Sequence, residues 1–548
     1  MNRHARVLGA MVLVFMLPIA TVIGGGTEES GASVDAVKLN PPGAMPIVEE
    51  QVTLKGVVSP AANVTDFKTN TMTLWMEEQT NVFVDWEIIE GDESRQKAIL
   101  MLNSGETLPD FFMATGFSSD DLLLYGSQGY FLSLNDYIES DSVYLKKWFM
   151  KDDGYRKQLL SADGNIYTFG SWNECYHCSY AQKMYLNKTW SDNLGFDVPE
   201  TTEDFHQLLR AFKENDPNGN GKADEIPLST ATGWWHSDPV PYLMCAFIYT
   251  DGGDKLNVVG DQVIAAFTQD EYKEGLKYIA MLWDEDLIDK QSYIQNVDQL
   301  KQLVEADVIR LGAAPIGHFS GFGDMTGEGV KNFYAIPPLK GPNGVRTSGY
   351  YPTTVSSNPG FVITKDSKMP QVAFRWGDFL LNDEAWIRAF VGEKGVDWFE
   401  AGPGMVNQFG KQAKVRLDYY IMERSQQNKA WGGALPWWRS DQDDSPIAVV
   451  NDDPFYADNR HYSEPKLYAP YTPEKVVPPL PFSEEDAKTL SRIKPDVDGL
   501  VREFEVKFVT GELDIDAEWD RYLTELDKAG LEQYLEIVNR TYTKYMNQ

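Results

Sequence analysis

Between Val52 and Met113 the chain alternates two periodicities, and that alternation restricts the folds open to it. "VTLKGVV" repeats with a period of two and reads as a strand. A helical pattern follows around Met72 to Thr80, then a second strand in "VFVDWEII". "RQKAILMLNSG" is a helix that stops on Gly105, and "LPDFFMA" is a third strand. Strand, helix, strand, helix, strand predicts an α/β fold, a sheet with helices on its faces. In such sheets ligands gather beyond the carboxyl ends of the strands, which directs attention to Thr115–Ser118 and to Thr115 and Phe117 as contacts. At 548 residues the chain exceeds what one core supports, so two lobes or more are expected.

The N-terminus fits an exported protein. Arg3 and Arg6 precede the apolar run "VLGAMVLVFMLPIATVIG", which contains Pro18, and residues 1–24 read as an export signal. "VIGG" looks like a lipobox in which Gly25 stands where the lipidated cysteine would be. Without a thiol no diacylglyceryl group can be attached, so the protein is expected outside the cell, surface-associated or secreted. Residues 25–50, rich in Gly, Ser, Pro and acid, read as a flexible tether. Asp plus Glu number 82 against 49 Lys plus Arg, a formal charge of -33 that repels phosphate backbones and argues against a nucleic-acid partner.

"ENDPNGNGKADEIPLS" is the most informative short stretch. With Asp216 as position 1, Asn218 falls at 3, Asn220 at 5, Gly221 at 6, Lys222 at 7 and Asp224 at 9. That is the spacing of an EF-hand calcium loop, in which alternate side chains turn inward and a glycine makes the sharp bend. Position 7 contributes a carbonyl, so Lys222 is no obstacle. Position 12, where a bidentate Glu is expected, holds Pro227, and Glu225 is the nearby acid able to replace it. These oxygen ligands suit calcium better than zinc, and a loop able to fill its own shell suits a structural role. The competing reading is an Asn-Gly turn with a solvated acidic face.

Three cysteines are present. "CYHC", Cys175 to Cys178, lacks the four ligands of a zinc site and the strand-then-helix setting of a redox motif, which leaves structural thiols or a local disulfide. Cys245 reads as a small buried hydrophobe.

Taken together, "MLNSGETLPDFF", "YGSQGYFLSLNDYIE", "YLNKTWSDNLGFDVPETTEDF", "FKENDPNGNGKADEIPLS", "GEKGVDW" and the C-terminal "FVTGELDIDAEWDRYLTELDKAGLEQYLEIVNRTY" resemble the extracellular solute-binding proteins of family 1. The similarity runs from about residue 50 to the C-terminus. It points within the family to the large lipoproteins that serve carbohydrate ABC transporters in Gram-positive bacteria, related to the alginate-binding periplasmic proteins. The resemblance implies a periplasmic-binding-protein-like fold, two lobes with a ligand cleft between them and a helical C-terminal region. It also implies an oligosaccharide ligand, ABC permease subunits as partners, a monomeric state, and calcium held by Asp216, Asn218, Asn220, the Lys222 carbonyl, Asp224 and Glu225. Lobe boundaries are expected at 51–172 with 358–432, and 173–357 with 433–548. Crossings are expected in "YTFGSWNECYHCSY", near Gly349–Phe361 and near Trp431–Trp438.

Sugar rings stack on indoles and need polar groups at their edges. Seven tryptophans lie in irregular segments: Trp172, Trp234, Trp235, Trp398, Trp431, Trp437 and Trp438. With Asn173, Glu174, His236 and Arg439 they form the expected ligand site, at least three of the seven touching ligand. Trp75, Trp283, Trp376 and Trp519 have helical spacing and are expected in the core. Arg439 and His236 are the basic groups near these segments, against Glu174, Asp238, Asp397, Glu400 and Asp441, so a neutral oligosaccharide is expected. The alternative is a secreted, calcium-stabilised glycoside hydrolase or polysaccharide lyase, which would need only two positioned acids. No catalytic signature supports it, and a non-enzyme is expected.

Overall fold

The computed structural model describes residues 37–547 apart from 62–63, 90–92, 252, 324–326, 353–354, 418–425, 441–444 and 450–456. The expected export signal, Gly25 and the first part of the tether lie outside these residues. Packing begins before residue 51, contrary to the tether expectation. Leu39 bridges Val48, and the Ile47 amide donates to the Thr80 carbonyl at 3.0 Å. Ile47 and Val48 are buried, which gives this stretch an apolar anchor that its Pro and Gly content obscured.

The N-terminal alternation forms as its periodicity predicts. Strands β1 (Val52–Val58) and β2 (Val82–Ile88) pair in parallel through the full register Val52↔Val82 to Val58↔Ile88. Between them runs the Thr71–Thr80 helix, which Asn70 caps by accepting from the Met72 amide. β3 (Phe111–Met113) joins the other side of β1. β4 (Phe169–Glu174) follows, then β5 (Met184–Asn187) and β6 (Ile226–Leu228). The hairpin of β7 (Leu256–Val259) and β8 (Gln262–Ala265) precedes β9 (Leu311–Pro315) and β10 (Phe333–Ile336). β11 (Val355–Ile363), the paired β12 (Trp398–Glu400) and β13 (Val415–Leu417), and β14 (Trp438–Ser440) complete the series.

Two mixed sheets result. The first has the order β14-β4-β11-β3-β1-β2 and the second β10-β5-β9-β6. The chain therefore passes between sheets from β4 to β5 and returns from β10 to β11. After β14 the helix Ala457–Ser463 lies against the second sheet, where the Arg460 guanidinium donates to the Phe333 carbonyl at 3.2 Å. The crossings are bonded to one another. The Tyr351 amide donates to the Ser179 carbonyl at 2.9 Å, and the Trp172 amide to the Trp437 carbonyl at 2.9 Å. A short helix, Tyr176–Ser179, sits at the first crossing, closed by the Cys175–Cys178 disulfide. Cys245 is buried and takes no part in a disulfide.

The second sheet carries the larger core. Thr201 and Asp204 form a reciprocal capping box at the start of the Thr202–Glu214 helix. Its stripe of Phe205, Leu208, Leu209 and Phe212 is wholly buried, each side chain stabilising by about 2–3 kcal/mol. The C-terminal helices Glu484–Val509, Ile515–Lys528 and Leu531–Met546 bring Phe504, Phe508, Trp519, Tyr522 and Val538 into that same core. Among the described residues no helix is long and apolar enough to cross a membrane.

Candidate functional site

The acidic loop folds around its first residue. Asp216 accepts from the amides of Asn220 at 3.0 Å and Gly221 at 2.9 Å, while Asn218 accepts from the Asn220 amide at 3.0 Å. Gly221 lies at φ +74°, the left-handed conformation its sharp bend requires. The side-chain amides of Asn218 and Asn220 donate to Asp224 at 3.3 and 2.8 Å, and the Asn220 bond holds the Asp224 carboxyl below its ordinary value. Glu225 is different. Both its carboxylate oxygens are buried with no hydrogen-bond partner among the described residues. Burial, then the nearby charges of Asp216 and Asp224, push its pKa up. The three carboxylates do not all converge within 4.8 Å, as mutual repulsion favours. Two buried acceptor atoms facing two further carboxylates are a donor set that a hard cation fits. A buried anion is otherwise costly by several kcal/mol. Cys175, His177 and Cys178 do converge within 4.8 Å, but their sulfurs are joined to each other rather than free as thiolates.

The seven tryptophans divide sharply. Trp431 is fully buried against Phe67, Trp86 and Trp376 of the first core, its indole N–H donating to Thr73 at 2.8 Å. Trp398 is buried with its N–H on the Gly392 carbonyl at 3.1 Å. Trp172 and Trp438, opposite one another in register, stack at 5.6 Å in a column with Trp148 and Tyr155. These four indoles pack into cores. Their irregular flanks resembled exposed loops, but the rings are covered by residues distant in sequence. Phe117 is likewise packed on Phe112 and Phe131, and Thr115 is buried with its carbonyl accepting from Ser94. Trp234 and Trp437 are half-buried, the latter against Phe390. Trp235 alone of the seven is open, at 40% exposure.

At the β4 end of the first sheet, Trp172 donates to Glu174 at 3.2 Å, and the Asn173 side-chain oxygen is buried with no partner among the described residues. Arg439 pairs in register with Asn173, but its side chain lies outside what the structure describes. On the second-sheet side, Trp235 packs edge-on to His177 at 5.6 Å and beside His236 at 4.9 Å. His236 Nδ1 lies 2.9 Å from the Tyr351 hydroxyl, which donates to Gln182 at 3.3 Å. His177 stacks on His461 at 4.5 Å, and Nε2 of His461 lies 2.7 Å from Nε2 of His318. Burial and the Lys183 charge lower His236 to about 4, and burial, Lys183 and Arg460 lower His318 to about 3. His236 and His318 are thus neutral at pH 7, so His236 does not add the near-cationic charge expected of it.

Residues 59–387 match the family described as bacterial extracellular solute-binding protein, more than half of the chain. The chain belongs to that family.

As a solute-binding protein it is a transport component and not an enzyme, so the hydrolase alternative falls. It is 29% identical over 491 residues to the fructooligosaccharide ABC transporter substrate-binding protein FusA of Streptococcus pneumoniae, covering 86% of each chain. The structure of FusA with kestose matches 90% of this chain and 100% of FusA at a TM-score of 0.72 and 24% identity. A second FusA structure is an EF-hand mutant in complex with fructo-nystose, with a TM-score of 0.71 and 24% identity over the same shares of both chains. A solute-binding protein of Bifidobacterium longum subsp. infantis matches 90% of this chain and 98% of its own at 0.77 and 20% identity. The alginate-binding protein AlgQ2, solved without calcium ion, matches 90% and 99% at 0.66 and 20%. Sequence reasoning passed over Tyr351, His318, His461 and Lys183 of this solute-binding protein. Lys183 carried a faint signal, a single lysine inside the apolar run "YAQKMYL".

Proposed function

We propose that this solute-binding protein captures a neutral oligosaccharide outside the cell and delivers it to the permease subunits of an ABC importer. The observation that carries the ligand class is the exposed Trp235 indole beside His236, which is neutral at pH 7 and lies within hydrogen-bond distance of the Tyr351 hydroxyl. An apolar ring face suits the C–H face of a sugar, and neutral donors and acceptors suit hydroxyls. The cations nearby are committed: Lys183 to two carbonyls, and Arg460 to Glu464 at 2.7 Å. A polyanion would need charge partners, and among the described residues the cations of this wall are already engaged. Asn173, at the carboxyl end of β4, is the matching contact from the first sheet, and Trp234 and Trp437 flank the two sides. FusA, named for a neutral fructooligosaccharide, supports the same class. Calorimetry with kestose, nystose and digalacturonate tests the reading. Binding restricted to the acidic sugar, with strong salt dependence, contradicts it.

The Asp216–Glu225 loop is proposed as a structural calcium site, with Asp216, Asn218, Asn220, the Lys222 carbonyl, Asp224 and Glu225 as ligands. Glu225 replaces the missing acid at the loop's twelfth position, and its two orphaned oxygens support that role. The FusA EF-hand mutant and the calcium-free AlgQ2 structure indicate that relatives carry comparable sites. Lobe boundaries near 172, 357 and 432 and the monomeric state are proposed from the resemblance; sheet membership shifts them to just after β4, just before β11 and beyond β14, since all three strands belong to the first sheet.

A further inference from the structure

Lys183 is an unusual residue for its position. It lies between β4 and β5 with 1% exposure, and its ammonium donates to the carbonyls of His177 at 3.3 Å and Gly317 at 3.1 Å. Those two acceptors belong to the two residues that seat Trp235. The His177 ring meets the indole edge-on. The Gly317 amide donates to the Trp235 carbonyl at 2.9 Å, and the indole covers Gly317 so closely that a Cβ there would stand 2.5 Å from the ring. One buried cation thus clamps both supports of the only open indole among the seven.

We infer that Lys183 is a positioning residue for the ligand-binding platform, its ammonium fixing the orientation of Trp235 through the carbonyls of His177 and Gly317. The inference rests on Trp235 being part of the ligand wall. Burying a lysine costs several kcal/mol, and a methionine of similar length would fill the same space without that cost. Packing alone gives no reason for a charge here. Geometry gives one. Charge-assisted bonds to carbonyls are roughly twice as strong as neutral ones and hold two separate segments at one point.

The charged and titratable groups facing Lys183 are Arg460, in the helix that follows β14, and Glu464 just after that helix, together with His236 and His318. Burial lowers Lys183 to about 8, with Arg460 adding to the effect and Glu464 opposing it. The platform should therefore loosen as the ammonium is lost above pH 8. Global stability should move the other way. A folded value below the unfolded one means the native state sheds its proton first, so this group's contribution to stability rises with pH across that window.

The test reads Trp235 directly, as the acrylamide quenching of the parent protein minus that of Trp235→Phe, between pH 6.5 and 9.5. We expect quenching of Trp235 to increase about twofold with a midpoint near pH 8 in the parent. In Lys183→Met it should be high and flat, with faster amide exchange at Gly317 and a melting temperature at pH 7 no lower than the parent's. Kestose affinity should fall about tenfold in Lys183→Met. A parent profile that is flat overturns the inference even if Lys183→Met fails to fold, as does a folded Lys183→Met with parental quenching at every pH. The ligand reading fails separately. If Trp235→Ala binds kestose as the parent does, Trp235 is not a ligand contact, whatever Lys183 does to the indole.

Discussion

The Tyr351 hydroxyl lies 2.9 Å from Nδ1 of His236, so the segment returning from the second sheet to the first touches the loop that presents Trp235. His236 sits at φ +52°, a conformation that a non-glycine residue holds only under constraint, and the Tyr351 contact is one such constraint. Tyr351→Phe should cost about 1 kcal/mol of stability. It should weaken kestose binding more than a remote Tyr→Phe change of equal stability cost. Calorimetry beside thermal melts separates the two effects, and equal losses would make Tyr351 merely structural.

His236 and His318 also set an acid limit. Their folded values, about 4 and about 3, lie below the ordinary value of 6.5, so the unfolded chain binds protons that the native state refuses. Stability from this pair should be complete above pH 6.5 and decline as pH falls toward 4. Replacing both with glutamine should flatten the melting temperature across that interval. An unchanged slope would place the acid sensitivity elsewhere.

The calcium loop makes a sharper demand. Chelation should lower the melting temperature, and calcium at a hundred times its dissociation constant should restore about 2.7 kcal/mol. Asp216→Ala and Asp224→Ala should imitate chelation and become insensitive to it. The raised folded pKa of Glu225 means that, without calcium, its contribution is best below the unfolded value near 4.5 and falls as pH rises through the folded one. Bound calcium pairs the charge, so the gain on adding calcium should grow from pH 4.5 to pH 7.5. A gain independent of pH removes Glu225 from the shell.

The tryptophan placements are testable as a pair. Trp438→Ala opens the column with Trp148, whose rings are 4.5 Å apart and 3° from parallel, and should cost about 3–5 kcal/mol. Trp235→Ala should leave the melting temperature within about a degree and reduce kestose affinity about tenfold, on the order of 1.4 kcal/mol. The reverse pattern would exchange their roles.

Local chemistry was readable in the sequence and distant packing was not. Asp216 to Glu225 is a contiguous loop whose alternation can be counted, and within it Asp216 gathers the Asn220 and Gly221 amides; the Thr201–Asp204 capping box likewise lies within four residues. Trp431 looked exposed because glycines follow it, yet Trp86 and Trp376 cover it, and neither is near in sequence. Asn173 is the penultimate residue of β4, an interior strand of the first sheet, and sequence reasoning reaches it because attention falls on strand ends in such sheets. The wall of Tyr351, His318 and His461 comes from three separate segments that converge only through the fold, so no window of sequence could contain it.

The strand order has a consequence for how the protein is made. Bonding between Ser171 and Trp437 spans 266 residues, and β14 closes an edge of the sheet that β1 begins. As the polypeptide emerges from its N-terminus, β1 to β3 become available early, but their sheet cannot finish until β14, at residues 438–440 of 548, has emerged. Such late, long-range pairing is slow and leaves strand edges open meanwhile. A cell making this protein must keep a half-built sheet from meeting other chains until its last strand arrives.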